Sequence, residues 1–274
     1  MKREPLEETL LSRRDLLKAG LNVCGLVVAH GWLASCASLG GTSTRPVSQG
    51  GMAWASGGTR AMAGNYPDPF RGGSAEPCVL TPYMTAGPCH AATPVRRDIS
   101  DGLAGLPLRL SLRVVRADRC EPVANAVVDV WHASPAGNYS AFPAGGASCN
   151  RTDPRGNTAQ YCRGTQTTDA DGRVDFDTVF PGWYPGRTVH IHFTVRLAGQ
   201  DYLTSQLFFD DALTSQITSA HPDYRSRSLP DTTNRTDGLA SSTRLGDVLL
   251  QTARMSDGAM QAWKTIAIPS TPGY

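Results

Sequence analysis

Charge is scarce in this chain of 274 residues, and its two signs almost cancel: 26 Lys and Arg stand against 24 Asp and Glu. A protein that grips a polyanion displays a basic face, so no nucleic-acid partner is expected from so thin a balance. No Cys-x-x-Cys pair occurs among the 7 cysteines, which removes zinc-ribbon and thioredoxin-like chemistry. No internal repeat is present. Beyond residue 35 no apolar run is long enough to cross a bilayer. Helical periodicity is weak, and only Asp247–Ala253 and Gly258–Thr265 are expected as short helices.

What is present begins with an export signal. Ser-Arg-Arg-Asp-Leu-Leu-Lys at Ser12–Lys18 is a twin-arginine motif. Ala19–Ala34 is apolar but short for a permanent span, and Leu-Ala-Ser-Cys reads as a lipobox ending at Cys36. The expectation is that residues 1–35 are removed and Cys36 is lipidated. The protein then leaves the cytoplasm folded, for the periplasm or the cell surface, and touches membrane by its lipid anchor only. An ordinary cleaved signal or a short anchor is the alternative. Residues 36–76, rich in Gly, Ser, Thr and Ala, are expected as a flexible tether, and 77–274 as one domain. With Cys24 gone and Cys36 lipidated, Cys78, Cys89, Cys120, Cys149 and Cys162 remain. That leaves at most two disulfides and one free thiol, in a connectivity that spacing does not give.

The domain alternates with the period of a strand. In Leu-Pro-Leu-Arg-Leu-Ser-Leu-Arg-Val-Val, Leu108, Leu110, Leu112 and Val114 share one face, and Arg109, Ser111 and Arg113 the other. Ala126, Val128 and Val130 oppose Val127, Asp129 and Trp131; Val174 and Phe176 oppose Asp175 and Asp177. Asp169–Gly172 is a turn signal between two strands. The fold class expected is all-β, a sandwich with few short helices.

One stretch concentrates chemistry. In Pro-Gly-Trp-Tyr-Pro-Gly-Arg-Thr-Val-His-Ile-His-Phe, His190 and His192 point the same way from a strand, opposite Val189, Ile191 and Phe193. Tyr184 stands on the turn before them, and Tyr139 follows another strand. Two phenolates with two imidazoles form a hard donor set that suits Fe(III). Arg187 reaches this face only if Pro185–Gly186 bend the chain, because its odd separation from His190 otherwise turns it away. Against this stands a plainer reading, in which His190 and His192 lie on a solvated face, or an exported lipoprotein binds copper, zinc or another ligand without catalytic turnover. His132 reads as a strand histidine, His221 as a surface-loop histidine.

These stretches resemble the intradiol ring-cleavage dioxygenases. Pro122–Ser140 resembles the family's segment bearing the first tyrosine ligand, and Arg163–Phe193 the segment bearing the second tyrosine, the arginine and both histidines. Cys78–His90 and Thr204–Asp211 resemble flanking strands. The resemblance implies a sandwich of mixed sheets and a non-haem Fe(III) held by Tyr139, Tyr184, His190 and His192. It also implies a catalytic role for Arg187 and for Tyr184 as a departing ligand. The implied substrates are a catechol and O2, and the implied product a cis,cis-muconate-type diacid. Cys89 and His90 stand where relatives carry an aromatic pair bordering the substrate, and with Trp183 and Gln206 they are the pocket candidates. The resemblance pairs Cys78 with Cys120 and, second, Cys149 with Cys162. Cys89 is then a free thiol or half of a local pair. The helical dimerisation domain of catechol 1,2-dioxygenases has no counterpart, so a lone catalytic sandwich is expected, of undetermined oligomeric state.

Overall fold

The computed structural model describes residues 53–71, 78–143, 145 and 149–272. The export signal and Cys36 lie outside the described residues. Alternating apolar residues produce β1 (Pro107–Arg116), β2 (Val127–His132), β3 (Arg163–Thr167), β4 (Arg173–Val179), β5 (His190–Leu197), β6 (Gln200–Phe208), β7 (Gln251–Arg254) and β8 (Met260–Ile268). They form two four-stranded sheets, ordered β4-β1-β8-β7 and β3-β2-β5-β6. The first is mixed, with β1 and β8 parallel. The second is antiparallel throughout. The fold is the expected all-β sandwich.

The inward faces are those the alternation picks out. Leu108, Leu110, Leu112, Phe176 and Ile266 of one sheet meet Val128, Val130, Ile191, Phe193 and Val195 of the other in a single apolar cluster. Each such side chain contributes roughly 1.5–3 kcal/mol by leaving water. The turn after β3 closes as its sequence requires. Asp169 accepts hydrogen bonds at Oδ1 from the backbone N–H of Asp171 and of Arg173, at 3.0 and 2.8 Å.

Two expected helices are corrected first. Gly258–Thr265 is not a helix; most of it belongs to β8, which runs between β1 and β7. Its Ala, Met, Gln and Lys favour helix locally, but ladder partners on both sides override that preference. Asp247–Ala253 likewise divides between a single helical turn, α2 (Leu245–Val248), and β7. The one longer helix, α1 (Asp211–Ala220), starts where Asp210 accepts at Oδ1 from the N–H of Leu213 at 2.9 Å.

The tether expected over 36–76 is not free over 53–71. Ala55 N–H donates to Gly258 O at 2.8 Å and Gly58 N–H to Gly105 O at 2.9 Å. Trp54 packs on the core, and the Arg109 guanidinium lies 4.9 Å over the Tyr66 ring. This strap also buries His221, whose Nε2 donates to Ala55 O at 2.9 Å, so that histidine is no surface-loop residue. Composition concealed the strap because its anchors are mainly backbone groups.

Two disulfides staple the loops. Cys78–Cys120 forms as the resemblance implied. Cys149 pairs with Cys89, and not with Cys162 as expected. Cys162 is fully buried in a separate apolar cluster with Tyr161 and Val179, while Cys89 and Cys149 share the cluster of Tyr139 and Trp131. Burial pushes the Cys162 thiol well up, which leaves it inert.

Candidate active site

Register sets the site. His190 and His192 project from the outer face of the second sheet near the start of β5, with His192 paired across the ladders to Trp131 of β2 and Gln206 of β6. Trp131 stacks flat on His192, ring centroids 5.0 Å apart and planes within 8°. Two loops then bring the tyrosines over the histidines. They approach at Gly137, where φ is +80° and a Cβ would sit 2.2 Å from Trp183 O. Only glycine permits that contact, which places the Tyr139 loop against the Tyr184 corner.

Four donor atoms converge. His190 Nε2 lies 3.3 Å from the Tyr139 hydroxyl, 3.1 Å from the Tyr184 hydroxyl and 3.1 Å from His192 Nε2. His190 Nδ1 donates to Thr188 O at 2.6 Å, and a carbonyl only accepts, so Nε2 carries the lone pair. Burial pushes His190 down to about 3, and burial together with the neighbouring His190 holds His192 well below the usual imidazole range. Both are neutral at physiological pH. Burial raises the Tyr139 phenol well above 10, and Tyr184 beside it adds to the rise. Burial also raises Tyr184, and the Arg187 guanidinium opposes that rise.

This geometry tests whether a metal fits. Three polar atoms crowd one nitrogen lone pair, which accepts a single hydrogen at a time. A cation of high charge relieves the crowding by drawing protons from the phenols. Two phenolate oxygens and two imidazole nitrogens are the donors for a hard trivalent ion. Among the described residues no cluster of three or more His, Cys, Asp or Glu could hold a metal, so an ion bound here would depend on the tyrosines.

Arg187 reaches the site by the bend its sequence required. Gly186 takes φ +81°, and Arg187 N–H returns to Tyr184 O at 3.2 Å. Its Nε donates to Asp237 Oδ2 at 2.8 Å, and Nη2 donates to Gln206 Oε1 at 2.5 Å. Gln206 is fixed in turn by donation from Nε2 to Thr85 O at 2.9 Å. Asp237 is fully buried and accepts also from the N–H groups of Thr188, Leu239 and Ala240. Burial pulls its pKa upward, but these hydrogen bonds and Arg187 hold it below the usual carboxylate range.

A cavity of about 300 Å³ opens on the donors, walled in part by Gly87, Cys89, Arg151, Tyr184 and Arg187. Of the pocket candidates, Cys89 lines it, as half of a disulfide. Gln206 stands behind Arg187. His90 and Trp183 do not line it: His90 Nε2 is 3.1 Å from Asp129 Oδ2 and its ring packs on Trp131, while Trp183 borders the adjoining hollow. His132 is a satisfied core histidine, held by Ala133 O and Thr178 Oγ1, each at 2.8 Å. Sequence reading missed Asp237, Arg151 and Arg163. Arg163 is fully buried, donates to Ser140 O and Cys89 O at 2.8 and 2.7 Å, and lies 5.9 Å over the Tyr139 ring. Of these three only Arg163 left a trace, at the head of the stretch that carried the resemblance.

Known proteins resemble this chain in sequence and fold. A family model described as "Dioxygenase" matches residues 79–245. Catechol 1,2-dioxygenase 2 of Acinetobacter lwoffii is 32 % identical over 156 residues, covering 47 % of this chain and 51 % of its own length. A chlorocatechol 1,2-dioxygenase of Pseudomonas putida is 28 % identical over 158 residues, covering 51 % and 55 %. The chain thus spans about half the length of the curated relatives it matches. An intradiol ring-cleavage dioxygenase structure from Tetranychus urticae superposes with a TM-score of 0.64 at 28 % identity, over 70 % of this chain and 95 % of that one. With the matched span holding both sites of tyrosine, the histidine pair and Arg187, the chain belongs to this dioxygenase family.

Proposed function

We propose that this protein is an Fe(III)-dependent intradiol dioxygenase that opens a catechol-type ring with O2 to a cis,cis-muconate-type diacid. The observation that carries the reading is the convergence of Tyr139, Tyr184, His190 and His192 beside Arg187 on one cavity. Those four residues would hold the iron, which supplies Lewis acidity toward the two diol oxygens. The relatives' names give the diol class: catechol, chlorocatechol and 6-chlorohydroxyquinol.

The chain's own residues supply the rest. Tyr184 lines the cavity, where its phenol oxygen would accept a diol proton. Arg187, positioned by Asp237 and Gln206, stabilises negative charge that develops on the ring. Trp131 fixes the plane of His192 from behind. Thr188 O fixes the tautomer of His190.

We also infer export by the twin-arginine route, with a lipid anchor at Cys36. Ser12–Lys18 and the lipobox support it, and so do two disulfides, which persist in oxidising compartments. Membrane labelling with a radioactive fatty acid, lost in Cys36→Ala, tests the anchor.

The test of activity is a visible spectrum of iron-loaded protein before and after anaerobic catechol, followed by oxygen uptake. A broad tyrosinate-to-iron band that moves to longer wavelength with catechol is expected, lost in Tyr139→Phe. A colourless protein at full iron occupancy that catechol leaves unchanged would overturn the reading.

A further inference from the structure

The cavity over the donor atoms continues into a second hollow of about 380 Å³, and the two share Arg151, Tyr184 and Pro185 as walls. The second hollow is bordered also by Trp183 and Arg227. Among the described residues no Asp or Glu lines either hollow. Three arginines therefore face this space, and their charges are matched unequally. Arg187 is neutralised by Asp237 at 2.8 Å. Arg227 spends Nη1 and Nη2 on Pro135 O and Trp183 O, at 3.0 and 2.9 Å. Arg151 has no ion pair or side-chain hydrogen bond among the described residues. The acid nearest to it in sequence, Asp153, is engaged by Arg155 at 3.1 Å. Residues 144 and 146–148, next to it in the chain, carry no carboxylate.

Arg151 is nevertheless held in place at its backbone. Its N–H donates to Asn138 Oδ1 at 2.9 Å, and Asn138 immediately precedes Tyr139. Two residues before Arg151, Cys149 accepts from Tyr139 N–H at 2.6 Å and is tied to the opposite cavity wall by its disulfide to Cys89. An unpaired guanidinium is thus mounted on a stapled loop beside Tyr139, on the wall the two hollows share. A neutral catechol gives that charge nothing to bind. Guanidinium matches carboxylate or another oxyanion, which a substituent on the ring can carry into the hollow beside the donor atoms.

We infer that the substrate is an aromatic diol carrying an anionic substituent, and that Arg151 is the residue that selects it. This inference rests on the dioxygenase reading above. It is tested by the ratio of kcat/KM for 3,4-dihydroxybenzoate and for 3-(3,4-dihydroxyphenyl)propanoate over that for catechol, in the iron-loaded full chain and in Arg151→Ala, Arg151→Glu and Arg151→Lys. A hydrogen-bonded charge pair corresponds to a factor of about 10–100, so Arg151→Ala should lower the better of the two ratios by that factor. Arg151→Glu should lower it further, and Arg151→Lys should restore part of it. Because catechol is measured on the same variant, misfolding cancels from the ratio. Ratios that stay within about twofold across the series would overturn the inference while leaving dioxygenase activity intact. If the wild-type protein consumes no oxygen with any diol, the dioxygenase reading falls, and binding decides the role of Arg151. The dissociation constants of 4-hydroxybenzoate and phenol are then compared: a preference for the carboxylate that Arg151→Glu abolishes supports it, and equal affinities overturn it.

Discussion

The outer faces of the two sheets read alike in sequence, as polar residues alternating with apolar ones, and are used in opposite ways. On the first sheet the polar face is internally matched. Arg109 bonds Asp177 across the β1–β4 ladder, Ser111 donates to Asp175 at 2.7 Å, and Arg173 holds Asp175 at 2.9 Å and Asp68 at 3.1 Å. Arg109 and Arg173 there each meet a carboxylate. On the second sheet His192 Nε2 and the two phenol oxygens crowd His190 Nε2 at 3.1–3.3 Å, and no carboxylate stands among them. The division even falls within one strand, because Arg196 at the far end of β5 is paired with Asp129 and Asp201 at 3.4 and 2.7 Å. A matched polar face stabilises a fold; an unmatched, buried one marks where function is held.

This contrast can be broken at either face. The largest effect is expected on the second sheet: Arg187→Ala should lower kcat/KM for the diol by about 10²–10³, the usual cost of losing one donor to developing charge. Steady-state oxygen uptake checks it, with thermal unfolding as the control for folding. On the first sheet the effect should move from activity to stability. Asp177→Asn leaves Arg109, only 6 % exposed, without its charge partner and should cost roughly 3 kcal/mol in urea unfolding, with iron content unchanged. A smaller effect concerns pH. Burial pushes His132 down to about 4 from 6.5, so below pH 6.5 the unfolded chain takes up a proton that the folded chain refuses until about pH 4. Stability is therefore complete above that range and falls as pH drops, by about 1.5 kcal/mol between pH 6.5 and 5 from this residue. Urea midpoints at the two pH values, for wild type and His132→Asn, measure it; equal pH slopes would remove His132 from the account.

Much of the site was legible because it is local. Strand alternation placed His190 and His192 on one face, and Pro185–Gly186 marked the corner that returns Arg187 to it. Asp237 was not legible, because it lies 50 residues beyond Arg187 and meets it only after the chain has traversed β6 and α1. Arg151 left no signal, since its meaning lies in the two hollows it borders, which no described Asp or Glu lines. The Cys89–Cys149 pairing depends on which apolar cluster each cysteine enters, which spacing does not encode. β8 was misread because its composition suits a helix and its pairing with β1 is set by residues about 150 positions away.

The strap over 53–71 gives the molecule two different beginnings. The match to the dioxygenase family begins at residue 79, whereas the packed structure starts at least as early as Trp54. Whoever trims this protein to the part its relatives share removes Tyr66 from Arg109, Asp68 from Arg173 and Ala55 from His221. The unit that inheritance preserved is smaller than the unit that folds, and a shortened chain should keep the latter.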